Sequence, residues 1–132
     1  MLSKVSVPGW SPPRGYTNGV VGTGRALHVA GQIGWRDGAW ESDDLAIQFA
    51  QALDNVLAVV RAAGGQPDDI ASMTVFVTDL DAYRLQHKAI GEAWRARLGK
   101  HYPAMALVGV AGLVEPRAKI EIQATAHLGD AT

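Results

Sequence analysis

The carboxylate most tightly constrained by its neighbours in this chain is Glu121. It stands inside the run KIEIQATA, where Ile120, Ile122, Ala124 and Ala126 alternate with Lys119, Glu121, Gln123 and Thr125. A period of two means a strand with one apolar face, so Glu121 is held on the opposite, polar face. A carboxylate held in this way can take a proton from a water or a substrate brought against it. From spacing alone, an ion pair with Lys119 or an arginine explains it better. The remaining reactive side chains form no familiar constellation. His28, His87, His101 and His127 show no short metal spacing with a carboxylate. There are no cysteines, hence no thiolate ligands and no disulfides. No G-x-S-x-G elbow occurs. Gly22 and Gly24 lack the third glycine and the following helix of a nucleotide loop. The sequence therefore predicts neither metal nor organic cofactor.

The elements that would position Glu121 can be read in order. The 132 residues make one domain, 1–132, with an irregular N-terminal arm over 1–15 marked by Pro8-Gly9 and Pro12-Pro13. Val5 and Val7 are candidates for a short edge strand. Residues 19–32 read as a β-hairpin turning at Gly22-Thr23-Gly24, and residues 34–40 as a turn-rich link carrying Trp35 and Trp40. A helix is expected over 42–63, capped by Ser42 or Asp43. Its apolar line is Leu45, Phe49, Ala52, Leu53, Val56, Leu57 and Val60, and Gly64-Gly65 stops it. A strand follows over 70–78. A second helix starts at Asp79 or Asp81 and runs to about Leu98, with Tyr83, Ile90, Trp94 and Leu98 buried. Its charged face, Arg84, Lys88, Glu92, Arg95 and Arg97, reads as solvated. The last two strands are 104–113 and the alternating run ending near Leu128, separated by Val114-Glu115-Pro116-Arg117.

The fold class is therefore α+β, a mixed β-sheet with two helices packed on one face. The strands 70–78 and 104–113 carry apolar groups on both sides, so the uncovered face calls for a partner. The net charge of −1 offers no general field for nucleic acid. No apolar run approaches the ~20 residues that span a bilayer, and residues 1–13 lack the apolar core of a signal peptide. A cytoplasmic protein without membrane or nucleic-acid partners is the expectation.

Four blocks carry a resemblance: GYTNGV, HVAGQI, ALDNVLAVVRAAGGQPDDIASMTVFVTDLDAY and PAMALVGVAGLVEPRAKIEIQATA. In order and spacing the chain resembles the RidA family (YjgF/YER057c/UK114) over residues 14–128. That resemblance implies a homotrimer whose sheets close into a central barrel, as in chorismate mutase of the Bacillus type. Small-molecule clefts would lie between subunits. It implies that Tyr16 and the segment Ala30-Gly31-Gln32 line the cleft. It also implies that Glu121 positions the water that attacks an imine carbon. One departure stands out. Family members active as imine deaminases carry an arginine in a Pro-Ala-Arg motif, where it grips the substrate carboxylate. Here the motif is Pro103-Ala104-Met105, and methionine has no donor. Arg14 and Arg117 are the candidates to replace it. Ala106 and Gly109 are small where relatives often carry larger groups, which would widen the cleft.

The expected function is action on an enamine or imine without the usual α-carboxylate, with Glu121 as catalytic base and Tyr16, Ala30, Gly31, Met105 and Ala106 as substrate-binding residues. The alternative is a non-catalytic or regulatory ligand-binding trimer. The endoribonuclease and translation-inhibitor labels of some family members are disfavoured here by the near-neutral charge.

Overall fold

The structure is a computed structural model that describes residues 1–129. Its centre is a four-stranded sheet in the order β3-β8-β6-β7, built from β3 (Arg25–Ile33), β6 (Ile70–Val77), β7 (Ala104–Gly109) and β8 (Ile120–Leu128). β8 runs antiparallel to both β3 and β6, while β6 and β7 are parallel. Three helices accompany the sheet: α1 (Leu45–Ala62), α2 (Leu80–Leu85) and α3 (His87–Leu98). The α+β class and the mixed sheet follow the sequence pattern.

The core lies between α1, α3 and one face of the sheet. Leu53, Val56 and Val60 from α1 are fully buried against Val75, Val77, Ile120 and Ile122. α1 has 18 residues and a mean hydropathy of 1.2, long and apolar enough by composition to cross a membrane. Here its apolar stripe is occupied by the sheet, and Asp54 and Arg61 lie on its exposed side. Asp44, rather than Ser42 or Asp43, caps this helix: its carboxylate accepts from the Ile47 N–H at 3.2 Å. Ser42 Oγ accepts instead from the Asp44 N–H at 2.9 Å, and Asp43 pairs with Arg117.

Several expectations are corrected. Residues 19–32 do not form a hairpin. β2 (Gly19–Gly22) pairs with β1 (Leu2–Val5), while β3 pairs with β8. The arm is thus partly ordered as a strand, and the Thr23-Gly24 turn joins two different sheets. The second helix is broken at Gln86. The Gln86 side chain donates to Asp44 at 2.7 Å and accepts from the Ala46 N–H at 3.0 Å. These two bonds tie the break to the start of α1. Arg97 is not merely solvated: it grips Asp54 of α1 with two bonds of 2.7 and 3.2 Å. β7 is shorter than 104–113: it ends at Gly109, where an added Cβ would stand 2.8 Å from the Leu80 side chain at the start of α2. The links β4 (Trp35–Arg36) and β5 (Ala39–Trp40) form a small ribbon of their own.

The open face of the sheet is less apolar than the unbroken runs suggested. It carries Ser72, Thr74 and Phe76 from β6, Ala106 and Val108 from β7, and Glu121, Gln123, Thr125 and His127 from β8. No helix covers it.

Candidate functional site

The site is built from a defect in a ladder. β3 and β8 stay in register from Arg25 to Val29, and pairing resumes at Gln32 opposite Ile122. Ala30 and Gly31 together face the single residue Gln123, which is a β-bulge. The bulge takes the backbone groups of Ala30 and Gly31 out of regular pairing, and Gln32 braces it by donating to the Ala30 carbonyl at 3.1 Å. Gly31 then lies directly against Glu121. A Cβ added at Gly31 would stand 2.8 Å from the Glu121 carboxyl carbon and 2.9 Å from its Oε2. Only a residue without a side chain leaves this carboxylate where it is.

Glu121 is half-buried on the open face. The ion pairs among the described residues are Arg84–Asp81, Arg97–Asp54 and Arg117–Asp43. Glu121 is therefore not neutralised by Lys119 or by an arginine, and the structural pairing favoured by spacing alone is not what holds it. Ala106 shares this face, since it is in register with Thr74, which faces Gln123.

Met105 is elsewhere. It is in register with Met73, which is buried on the helix side. Neighbours in a ladder share a face, so Met105 points away from Glu121. It lines a cavity of about 370 Å³ bounded by β7, α2, α3 and the loop at Arg14-Gly15. Tyr83, Ile90, Trp94 and Leu107 form much of its wall. Burial in that wall pushes the Tyr83 hydroxyl pKa upwards. The loop is fastened to the start of β7, as the Thr17 N–H donates to the Pro103 carbonyl at 3.0 Å and the Thr17 hydroxyl to the Tyr102 carbonyl. Tyr16, in the same loop, is exposed. Within one chain the structure thus brings Ala30, Gly31 and Glu121 together, sets Ala106 on their face, and leaves Met105 on the other side of the sheet.

The two replacement arginines separate clearly. Arg117 is engaged by Asp43 at 2.9 Å and lies over the Trp40 ring at 5.2 Å from its centroid. Arg14 borders the cavity of Met105. Arg95 borders it as well, although its place in the charged face of the second helix read as solvated. A signal was present: Gly91 stands one turn before Arg95, and a Cβ there would lie 3.2 Å from the Arg95 Nη1. The bare glycine lets the guanidinium fold back along the helix.

His127 is covered by Gly22, and its Nδ1 is buried without a hydrogen-bond partner among the described residues. Among the described residues no group of three or more His, Asp or Glu side chains is placed to hold a metal.

Comparison with known proteins bears on the family and the fold. The family model described as endoribonuclease L-PSP matches residues 10–128. The 2-iminobutanoate/2-iminopropanoate deaminase of Escherichia coli is 43% identical over 83 residues, covering 63% of this chain and 63% of that enzyme. The match thus spans less than two thirds of the enzyme's length. The human protein of the same name is 28% identical over 134 residues, 100% of this chain and 92% of its own. Among solved structures, the Rid-family protein of unknown function YyfB from Yersinia pestis superposes with a TM-score of 0.85 at 31% identity. That match covers 96% of this chain and 98% of the other.

Proposed function

The chain belongs to the endoribonuclease L-PSP family, which includes the RidA proteins, and from that membership we propose that it hydrolyses an enamine or imine lacking the usual α-carboxylate, with Glu121 as the base. The observation that carries this is the unpaired Glu121 carboxylate set against the Ala30-Gly31 bulge. Glu121 takes a proton from water as the oxygen attacks the C=N carbon. Glu121 returns that proton to the nitrogen. The resulting carbinolamine then gives a carbonyl compound and ammonia, its hydroxyl proton passing to the departing nitrogen as the C–N bond breaks. An enamine enters the same path after tautomerising to the imine. The Ala30-Gly31 backbone lies outside the regular ladder beside the carboxylate and is proposed to hold the ligand there, the Ala30 carbonyl already accepting from Gln32. Tyr16 and Ala106 complete the proposed binding residues. No metal or organic cofactor enters these steps.

The reading requires more than one copy. β3 and β7 are the two edges of the sheet. The Gly31 bulge is on one edge strand and Met105 on the other, so a single chain does not bring Met105 to Glu121. In a homotrimer closed into a barrel, the β7 edge of one copy meets the β3 edge of the next, and the proposed cleft is the gap that the Ala30-Gly31 bulge leaves at each junction, through which the Met105 side of one copy opens to the Glu121 of its neighbour. Light scattering should give about three times the 14.0 kDa chain mass. A stable monomer at micromolar concentration would remove the cleft. We take the protein to be cytoplasmic, with small molecules rather than nucleic acid or membrane as partners.

Met105 decides the substrate class. A carboxylate entering at this place loses water, and methionine returns no hydrogen bond. An arginine would return two charge-assisted ones, each worth about 1.5–3 kcal/mol. A loss on the order of 3 kcal/mol exceeds a hundredfold in rate or binding. The same absence of a donor supports a second reading, a ligand-binding trimer without catalysis. A panel of imines, each with and without an α-carboxylate, separates the two. Turnover of a carboxylate-free imine that vanishes in Glu121→Ala supports hydrolysis. Binding without turnover across the panel supports the second reading. Nucleic-acid binding is disfavoured by the net charge of −1 and would show itself as affinity falling steeply with salt.

A further inference from the structure

The cavity beside Met105 has a charge pattern that its apolar walls do not explain. Its interior is formed by Phe49, Tyr83, Ile90, Trp94, Met105 and Leu107. Two arginines, Arg14 from the N-terminal loop and Arg95 from α3, border it from different elements. Both are exposed, and neither belongs to any of the ion pairs among the described residues. Arg84, Arg97 and Arg117, by contrast, are each spent on an aspartate. Acidic side chains do not line the cavity at all. Its volume of about 370 Å³ lies within the range of small-molecule sites.

We propose that this cavity binds an anion with a flat apolar body, its acid group held between Arg14 and Arg95 and its body against Met105 and Trp94. The orientation follows from where charge and apolar surface lie. The guanidinium groups belong to exposed residues that only border the cavity, while the side chain at 105 is an apolar thioether. Two unpaired guanidinium groups attract a carboxylate or another oxyanion by charge-assisted hydrogen bonds. Methionine and the aromatic wall favour a polarisable ring. Gly91 contributes by leaving room for the Arg95 guanidinium beside the helix. The acid group of the ligand is thus remote from the atom that reaches Glu121, rather than adjacent to it. This rests on reading the Met105 cavity as part of the cleft proposed above, and it names the substrate class: a carboxylate distant from the C=N bond, joined to it by an aromatic-sized body.

Three probes test the charge and the body separately: naphthalene-2-carboxylate, the neutral naphthalene-2-carboxamide, and acetate. Calorimetric titration of the intact protein should show the acid binding at least tenfold more tightly than the amide, with acetate not binding at the same concentrations. Arg14→Met and Arg95→Met should each reduce the preference for acid over amide, and the double variant should abolish it while amide binding is kept. Both residues are exposed, so folding should persist, and circular dichroism checks it. Equal binding of acid and amide, a preference that survives in the double variant, or no binding of either naphthalene probe would overturn the inference. Glu121→Ala should leave acid binding unchanged. Loss of imine turnover with the acid preference intact would therefore count against the proposed reaction alone, and turnover without any acid preference against this inference alone.

Discussion

The two faces of β8 differ in how they are completed. On one, Ile120, Ile122, Ala124 and Ala126 are buried against α1 within the same chain. On the other, Glu121, Thr125 and His127 are half-buried and Gln123 is exposed, with no helix above them among the described residues. The first face is closed by dense apolar packing, and every side chain there has its neighbours. The second keeps a carboxylate, a bulge and small residues together without closing over them. The contrast separates the source of stability from the proposed place of chemistry. Changes on the helix side should act on folding, and changes on the open side or at the cavity on ligand and rate.

The comparison can be broken most severely at Leu53, which is fully buried in α1. Leu53→Ala should destabilise by roughly 2–5 kcal/mol, the range for large-to-small changes in a packed core. Chemical denaturation measures it. A loss under about 1 kcal/mol would mean that the helix face is not where stability resides.

Met105→Arg comes next. Supplying the missing donors should bring measurable 2-imino acid hydrolysis, with a gain on the order of a hundredfold, and that gain should vanish when Glu121→Ala is added. The imine is generated enzymatically and keto-acid release is followed above the uncatalysed rate. Should the unmodified protein already hydrolyse 2-imino acids as well as an arginine-bearing relative does, Met105 does not set the substrate class.

Gly31→Ala sharpens the contrast further. The new methyl would meet the end of the Glu121 side chain, which can swing aside. Stability should therefore change by less than about 1 kcal/mol, while turnover or ligand binding at the open face falls by about tenfold or more. A large loss of stability with no effect on function would reverse the assignment of that face.

The smallest effect separates two arginines of α3. Arg97→Ala removes the bidentate pair with Asp54 and should cost about 0.5–1 kcal/mol. Arg95→Ala, which breaks no ion pair, should stay within about 0.5 kcal/mol. Thermal denaturation of both variants side by side would show whether the pair binds α3 to α1.

Much of this organisation was written locally. The alternation from Lys119 to Ala126 assigns each residue of β8 to a side, and the stripe from Leu45 to Val60 marks the face that α1 buries. Both follow from the geometry of a single element, which a few neighbouring residues determine. The chemistry of position 105 was equally plain, since a methionine has no donor in any fold. Other features depended on residues distant in the chain. Gln86 breaks its helix because Asp44 and Ala46, some 40 residues earlier, accept and supply its hydrogen bonds. Arg117 is withdrawn from the site by Asp43 and Trp40, and Arg95 is turned to the cavity over Gly91. That Met105 and Glu121 lie on opposite sides of the sheet was decided by register: Met105 beside Met73, Phe76 beside Glu121. A period of two tells which residues of one strand share a side. Which sides of two strands coincide is set by hydrogen bonds between them, and those exist only once the sheet has assembled.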